Sequence, residues 1–176
     1  MTAIVGLVHD GTVHIGGDSA GVGDWTITIR ADSKVFVNGP YVMGFTGSFR
    51  MGQLLRYALE PPIPSGDLDA FMATTFIDSV RECLKQGGWM SKENEREDGG
   101  TFLVGVAGRL FRIGSDFQVG ESVDAYDAVG SGEEIALGAL YATARTRMGP
   151  RKRLEVALSA AERFSGAVCG PFAYVP

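Results

Sequence analysis

The chain gathers its elements into blocks. Short apolar runs separated by turn residues extend to Phe45. Two helical stripes follow, then a second group of short strands, then two more helical stripes and a last apolar segment. Segregated runs of this kind predict antiparallel sheets with paired helices on their outer faces, not alternating βαβ units. At 176 residues one domain spanning 1–176 is expected, with enough chain to bury a large core.

The strand block reads as two hairpins. Ile4 to His9 is apolar on both faces, as in a strand covered on both sides. Asp10-Gly11 is a two-residue turn signal, and Thr12 to Asp18 is the return strand. Ser19 to Asp24 reads as a glycine-containing loop and Trp25 to Ile29 as a short strand. Lys34 to Val37 and Tyr41 to Phe45 form a second hairpin around Asn38-Gly39.

Met51, Leu54, Leu55, Ala58 and Leu59 make an amphipathic stripe that Ser48 can cap and Pro61, Pro62 and Pro64 stop. A second stripe runs from Leu68 to Leu84, capped by Ser65 or Asp67 and ended by Gly87-Gly88. Trp89 to Gly100 is polar and reads as an exposed loop. Thr101 to Ala107 pairs with Arg109 to Ile113, and Ala125 to Val129 leads into Gly130-Ser131-Gly132. Helices are expected over Glu133 to Met148 and Arg151 to Phe164, and a strand over Val168 to Val175.

Composition narrows the function classes. A net charge of -5 argues against a nucleic-acid footprint. No apolar run reaches the roughly 18–20 residues of a membrane span. Cys83 and Cys169 are too few for a disulfide framework and read as core residues of a reduced compartment. His9 and His14 stand five apart with no paired cysteines, so no metal site is expected. A signal peptide is not recognisable, so a cytoplasmic protein is expected.

Thr2 carries the chemistry. An initiator Met is removed when the next residue is as small as Thr, which would leave a hydroxyl and a free α-amine on one residue. With a pKa of about 7.7–8.0, that amine is partly unprotonated near neutrality and can serve as the hydroxyl's base. Hairpin register then brings charge to it. With Asp10 and Gly11 as turn residues, Ala3 faces Asp18 at the roughly 4.5–5.5 Å of opposed Cβ atoms. An Asn38-Gly39 turn sets Ser33 opposite Gly44 and Lys34 opposite Met43. Lys34 thereby reaches the same strand end. An ammonium near the α-amine lowers its pKa, and a carboxylate paired with that lysine keeps it charged and oriented.

These residues resemble the proteasome β-subunit family of N-terminal-nucleophile hydrolases, and most of all its bacterial HslV branch. The likeness rests on Thr2 to Asp18, Lys34, Val42-Met43-Gly44-Phe45-Thr46-Gly47 and Val129-Gly130-Ser131-Gly132. It implies an α+β fold, a four-layer αββα sandwich of two antiparallel sheets flanked by helix pairs. It implies a threonine peptidase subunit of a self-compartmentalising ring that cuts unfolded polypeptides. By resemblance, Thr2 is the nucleophile, Asp18 and Lys34 tune the amine, Gly44 gives the oxyanion N–H and Ser131 helps move protons. Asp32, Val42 and Thr46 would border the pocket for the substrate side chain.

No cofactor is implied in this chain. The partners implied are further copies of itself, in one ring or two stacked, a polypeptide substrate, and optionally an AAA+ unfoldase that uses ATP. Against the pattern, Ala3 stands where a second Thr or Ser is common, and the late stretch Arg163 to Cys169 offers Ser165 at most for the family's supporting Asp and Ser. The chain stops at Ala173-Tyr174-Val175-Pro176 without the tail HslV inserts into its unfoldase, which weighs against a conventional ATPase partner. Two other readings stand beside the peptidase: a catalytically inactive ring-forming subunit, and a small-amide hydrolase of the same superfamily.

Overall fold

Strand β1 (Ile4–His9) and strand β2 (Thr12–Gly17) close through Asp10 and Gly11, with Ile4 opposite Gly17 and His9 opposite Thr12. The register is the one the turn dictates. The computed structural model describes residues 2–23, 26–93 and 96–176. β3 (Ala20–Gly23) and β4 (Thr26–Ile29) pair as a separate ribbon, so the segment expected as a loop is a strand as far as Gly23. Asp24 and Trp25 of the expected elements lie outside the described residues.

β5 (Val35–Asn38) and β6 (Tyr41–Phe45) pair with Val35 opposite Gly44 and Asn38 opposite Tyr41. The turn residues are therefore Gly39 and Pro40, not Asn38 and Gly39. Gly39 takes the positive φ (56°) at the first turn position, and Pro40, which has no N–H to give to a ladder, takes the second. The slip amounts to one residue on each strand, so each side chain keeps its face.

Ser48 caps α1 (Phe49–Tyr57), accepting from Arg50 N and Met51 N. Asp67 caps the next helix, accepting from Ala70 N. That helix starts as α2 (Leu68–Phe71), widens to a π turn over Met72–Phe76, and continues as α3 (Ile77–Gln86). β7 (Ser91–Glu93) and β8 (Arg96–Asp98) form a ribbon where a loop was expected. Their register sets Lys92 opposite Glu97 and Glu93 opposite Arg96.

β9 (Phe102–Val106) and β10 (Arg109–Ile113) pair as expected, and β11 (Val119–Glu121), not anticipated, extends them. β12 (Tyr126–Val129) leads to α4 (Glu133–Thr143), α5 (Pro150–Phe164) and β13 (Ala173–Val175). α4 ends five residues before Met148, and side chains satisfy two of its last carbonyls. Thr143 Oγ1 donates to Ala139 O and Leu140 O, and Arg153 Nη2 also donates to Leu140 O.

The first sheet runs β12-β1-β2-β13 and the second β11-β10-β9-β6-β5, both antiparallel. The two-residue period sorts the layers. Ala3, Val5 and Leu7 pack under α4 and α5 against Ala136, Leu140, Leu154 and Leu158. Ile4, Val13, Ile15 and Val129 meet Val35, Leu103 and Leu110 between the sheets. Met43, Phe45, Phe102 and Val104 pack on the far side against Met51, Leu55, Phe76 and Val80. The result is the expected helix–sheet–sheet–helix order. Among the described residues no helix is long and apolar enough to cross a membrane. Both cysteines are half-buried and unpaired, less enclosed than their apolar neighbours in sequence suggest.

Candidate active site

Thr2 stands just before β1, Asp18 just after β2 and Lys34 just before β5, so three strand ends meet. Asp18 N donates to Ala3 O (3.2 Å) and Ala3 N donates back to Asp18 Oδ1 (3.2 Å). Oδ2 accepts from Ala20 N (3.1 Å) and Cys169 N (3.4 Å). Lys34 Nζ donates to Asp18 Oδ1 and to Thr2 Oγ1, both at 2.7 Å. The Lys34 and Asp18 side chains are 1% and 0% exposed. Such a pair is tolerable because backbone amides supply the rest of the carboxylate's bonds. Burial pushes the Lys34 ammonium below its ordinary 10.5, aided by the charge of Arg30 and opposed by Asp18.

The turn from β12 into α4 closes over Thr2. Thr2 N donates to Ser131 Oγ (3.1 Å), while Gly132 N donates to Thr2 O (3.2 Å). A Cβ on Gly130 would lie 2.3 Å from Thr2 O, so only glycine lets the turn approach. Gly130 N, in the same turn, donates to Glu133 Oε2 (3.2 Å). Arg112 Nη2 holds the same Glu133 oxygen (3.2 Å), and Arg112 Nη1 donates to Ala128 O (3.2 Å). Glu133 and Arg112 thus brace the turn. The sequence signal for Glu133 was its place three residues after Gly130; Arg112 had none.

Gly44 is not where the resemblance would put it. It lies in the middle of β6, paired with Val35 on one side and Leu103 on the other. Phe45 N donates to Lys34 O and Thr46 N to Thr101 O, so alternation aims the Gly44 N–H at β9, away from Thr2. Gly47 lies at the cleft instead, exposed, with φ 84° and open space where a Cβ would be.

That cleft, about 290 Å³, opens beside Thr2 and Lys34 and is walled by Arg30, Phe45, Phe49 and the backbone of β3. Among the pocket residues proposed from sequence, Asp32 borders an adjoining hollow and pairs with Arg30. Val42 packs at the layer between the sheets, and Thr46 Oγ1 lies 3.1 Å from where a Gly130 Cβ would be. Neither lines the cleft. Ser165 ends α5, its N–H on Ala161 O, and the late-chain support comes from the Cys169 amide on Asp18. Among the described residues, no three or more His, Cys, Asp or Glu side chains gather to hold a metal.

A hydroxyl, a buried ammonium and an adjacent cleft suit nucleophilic attack on an acyl carbon. No protein-family model and no curated protein sequence matches the chain. Solved structures do. BPH of Thiobacillus denitrificans, in complex with epoxomicin, is 21% identical with a TM-score of 0.81, over 99% of this chain and 97% of its own. HslV of Trypanosoma brucei is 19% identical with a TM-score of 0.71, over 99% and 98%. Anbu, an ancestral β-subunit, from Yersinia bercovieri is 16% identical with a TM-score of 0.67, over 99% and 80%. The chain has the fold of the proteasome-type N-terminal-nucleophile hydrolases.

Proposed function

We propose that the chain is a threonine peptidase subunit of a homo-oligomeric ring, hydrolysing peptide bonds of unfolded polypeptides with Thr2 as nucleophile. The observation that carries this reading is the single ammonium, Lys34 Nζ, lying 2.7 Å from both Thr2 Oγ1 and Asp18 Oδ1 beside an open cleft. A buried ammonium needs acceptors for its three N–H groups, and the hydroxyl of Thr2 is one of the two it meets at 2.7 Å. The same contact lowers the cost of forming the alkoxide.

Met1 lies outside the described residues, and its removal is part of the proposal. The freed amine takes the proton of Thr2 Oγ1, directly or through one water. The oxygen attacks the peptide carbonyl carbon while Lys34 offsets its charge. The carbonyl oxygen becomes an oxyanion, to which Gly47 N–H is the candidate donor in place of Gly44. The amine passes its proton to the leaving nitrogen, and the C–N bond breaks to give an ester on Thr2. Water, deprotonated by the same amine, then hydrolyses the ester. In this reading Ser131 Oγ, which accepts from Thr2 N at 3.1 Å, holds the amine and passes its proton; that contact supports the role.

A cytoplasmic location, one ring or two, and ATP used by a separate AAA+ partner belong to the same proposal. It needs no cofactor in this chain. Epoxomicin in the BPH structure supports the choice of probe. An epoxyketone should add once, to Thr2, on protein whose mass lacks Met1. Protein from its natural source with Met1 retained throughout, or processed protein that takes no adduct, would refute the proposal.

A further inference from the structure

Arg30 is built into the cleft wall from four directions. Its N–H donates to Ser19 O (2.9 Å), which fixes the backbone after β4. Its stem crosses Gly21, where a Cβ would lie 2.8 Å from Arg30 Cδ. Its guanidinium lies 3.9 Å over the Phe49 ring. Asp32 takes it in a fork, Nε to Oδ1 at 2.7 Å and Nη2 to Oδ2 at 2.6 Å. An arginine so held loses little freedom on meeting a ligand. Three of its five N–H groups are not used by Asp32.

The charges around the cleft are one-sided. Among the described residues its charged walls are Arg30 and Lys34, and no carboxylate lines it. Asp18 is wholly buried behind Lys34, and Asp32 faces the adjoining hollow beside Arg56 and Tyr57. Lys34 is committed to Asp18 and Thr2, which leaves Arg30 as the cation within reach of a substrate side chain.

We propose that Arg30 is a specificity-determining residue and that the cleft takes an acidic side chain, Asp or Glu, from the residue whose carbonyl Thr2 attacks. The inference rests on the reading of Thr2 as nucleophile. The carboxylate meets a preorganised guanidinium with hydrogen bonds to spare, whereas a lysine or arginine side chain meets two cations and, among the described residues, no carboxylate in the cleft wall.

The test uses fluorogenic peptides that differ only in Glu, Gln or Lys before the scissile amide, with epoxyketone labelling of Thr2 run in parallel. In the wild-type protein kcat/KM for Glu should exceed that for its neutral isostere Gln by about tenfold, and that for Lys by more. Arg30→Ala should bring the Glu/Gln ratio close to one, and Arg30→Lys should restore part of it. A wild-type ratio of one or below overturns the inference, as does a ratio unchanged in Arg30→Ala. If Thr2 is labelled but Glu is not preferred, the specificity inference alone falls. If processed protein is neither labelled nor active on any peptide, the nucleophile reading falls and the inference falls with it.

Discussion

Lys34→Met removes the ammonium and keeps an unbranched apolar stem. In the native site Nζ is 2.7 Å from Thr2 Oγ1. A unit charge at that distance from a developing alkoxide is worth about 6 kcal/mol gross at an effective dielectric of about 20. Only part of the charge has formed in the transition state, and water can replace some of the donor. The net loss should therefore resemble that of one preorganised donor, about 3–4 kcal/mol, or roughly 10²–10³ in kcat/KM.

Stability should fall less. Breaking a buried ion pair typically costs about 3–5 kcal/mol because one charge is left alone. Here Asp18 keeps the amides of Ala3, Ala20 and Cys169. The desolvation that pushes the Lys34 pKa down is also relieved. A cost of about 1–3 kcal/mol is expected, within the reserve of an ordinary domain. Peptide turnover and thermal denaturation measure the two halves. A folded Lys34→Met protein within about fivefold of wild-type kcat/KM would refute the electrostatic role, and a protein unfolded at 25 °C would refute the account of Asp18.

Thr2→Ala should abolish peptide turnover while leaving oligomer size unchanged, with a modest drop in Tm because the buried Lys34 ammonium loses an acceptor. Turnover, size-exclusion and melting measurements check these, and residual turnover would locate the nucleophile elsewhere. Activity should fall on the alkaline side as Lys34 loses its proton, at a pH below the ordinary 10.5 because burial lowers its pKa. Between the lowered value and 10.5 the unfolded chain binds the extra proton, so this group's contribution to stability rises with pH across that window; a pH–kcat profile and pH-dependent melts show it. Gly44→Ala would bring a Cβ to 2.5 Å from Ile4 Cγ2, an overpacking cost of about 1–3 kcal/mol read as a lower Tm, whereas Gly47→Ala is open around its Cβ but strained at φ 84°, so it should lower Tm slightly and kcat as well. Glu133→Gln keeps an acceptor for Gly130 N but loses the charge facing Arg112, so kcat should drop about 2- to 10-fold and the acid limb of its pH profile should move.

What was legible in the chain was what neighbouring residues decide. Asp10-Gly11 set the β1–β2 register, and that alone brings Asp18 beside Ala3. Ser48 and Asp67 cap the helices they precede. Lys34 reaches Thr2 despite the misread turn at Gly39-Pro40, because the slip preserves the faces of β5 and β6. Gly44 and Gly47 could not be told apart in the same way. Which amide of β6 is free depends on its pairing with β9, nearly sixty residues away in sequence. Arg30 carries no signal in the sequence for a related reason. Its partners Ser19, Gly21, Asp32 and Phe49 become a single site only when the β3–β4 ribbon folds against the start of α1. The Arg112–Glu133 brace joins β10 to α4, again across layers.

The glycines explain how a lysine reaches a threonine through a packed core. Gly17 ends β2 and Gly44 lies in β6, on facing sheets. A Cβ on Gly17 would lie 2.8 Å from Ile4 Cδ1 and 3.0 Å from Val35 Cγ1, and one on Gly44 would press on Ile4, Ile15 and Val35. Both positions thus abut the same two side chains, and the sandwich is thin there. With larger residues the sheets would stand further apart, and Nζ, fixed by the length of its stem, could not hold 2.7 Å contacts to both Asp18 and Thr2. The role of Gly44 is therefore spacing, and the geometry of the candidate site is set by how closely two apolar layers meet several ångströms from the reacting atoms.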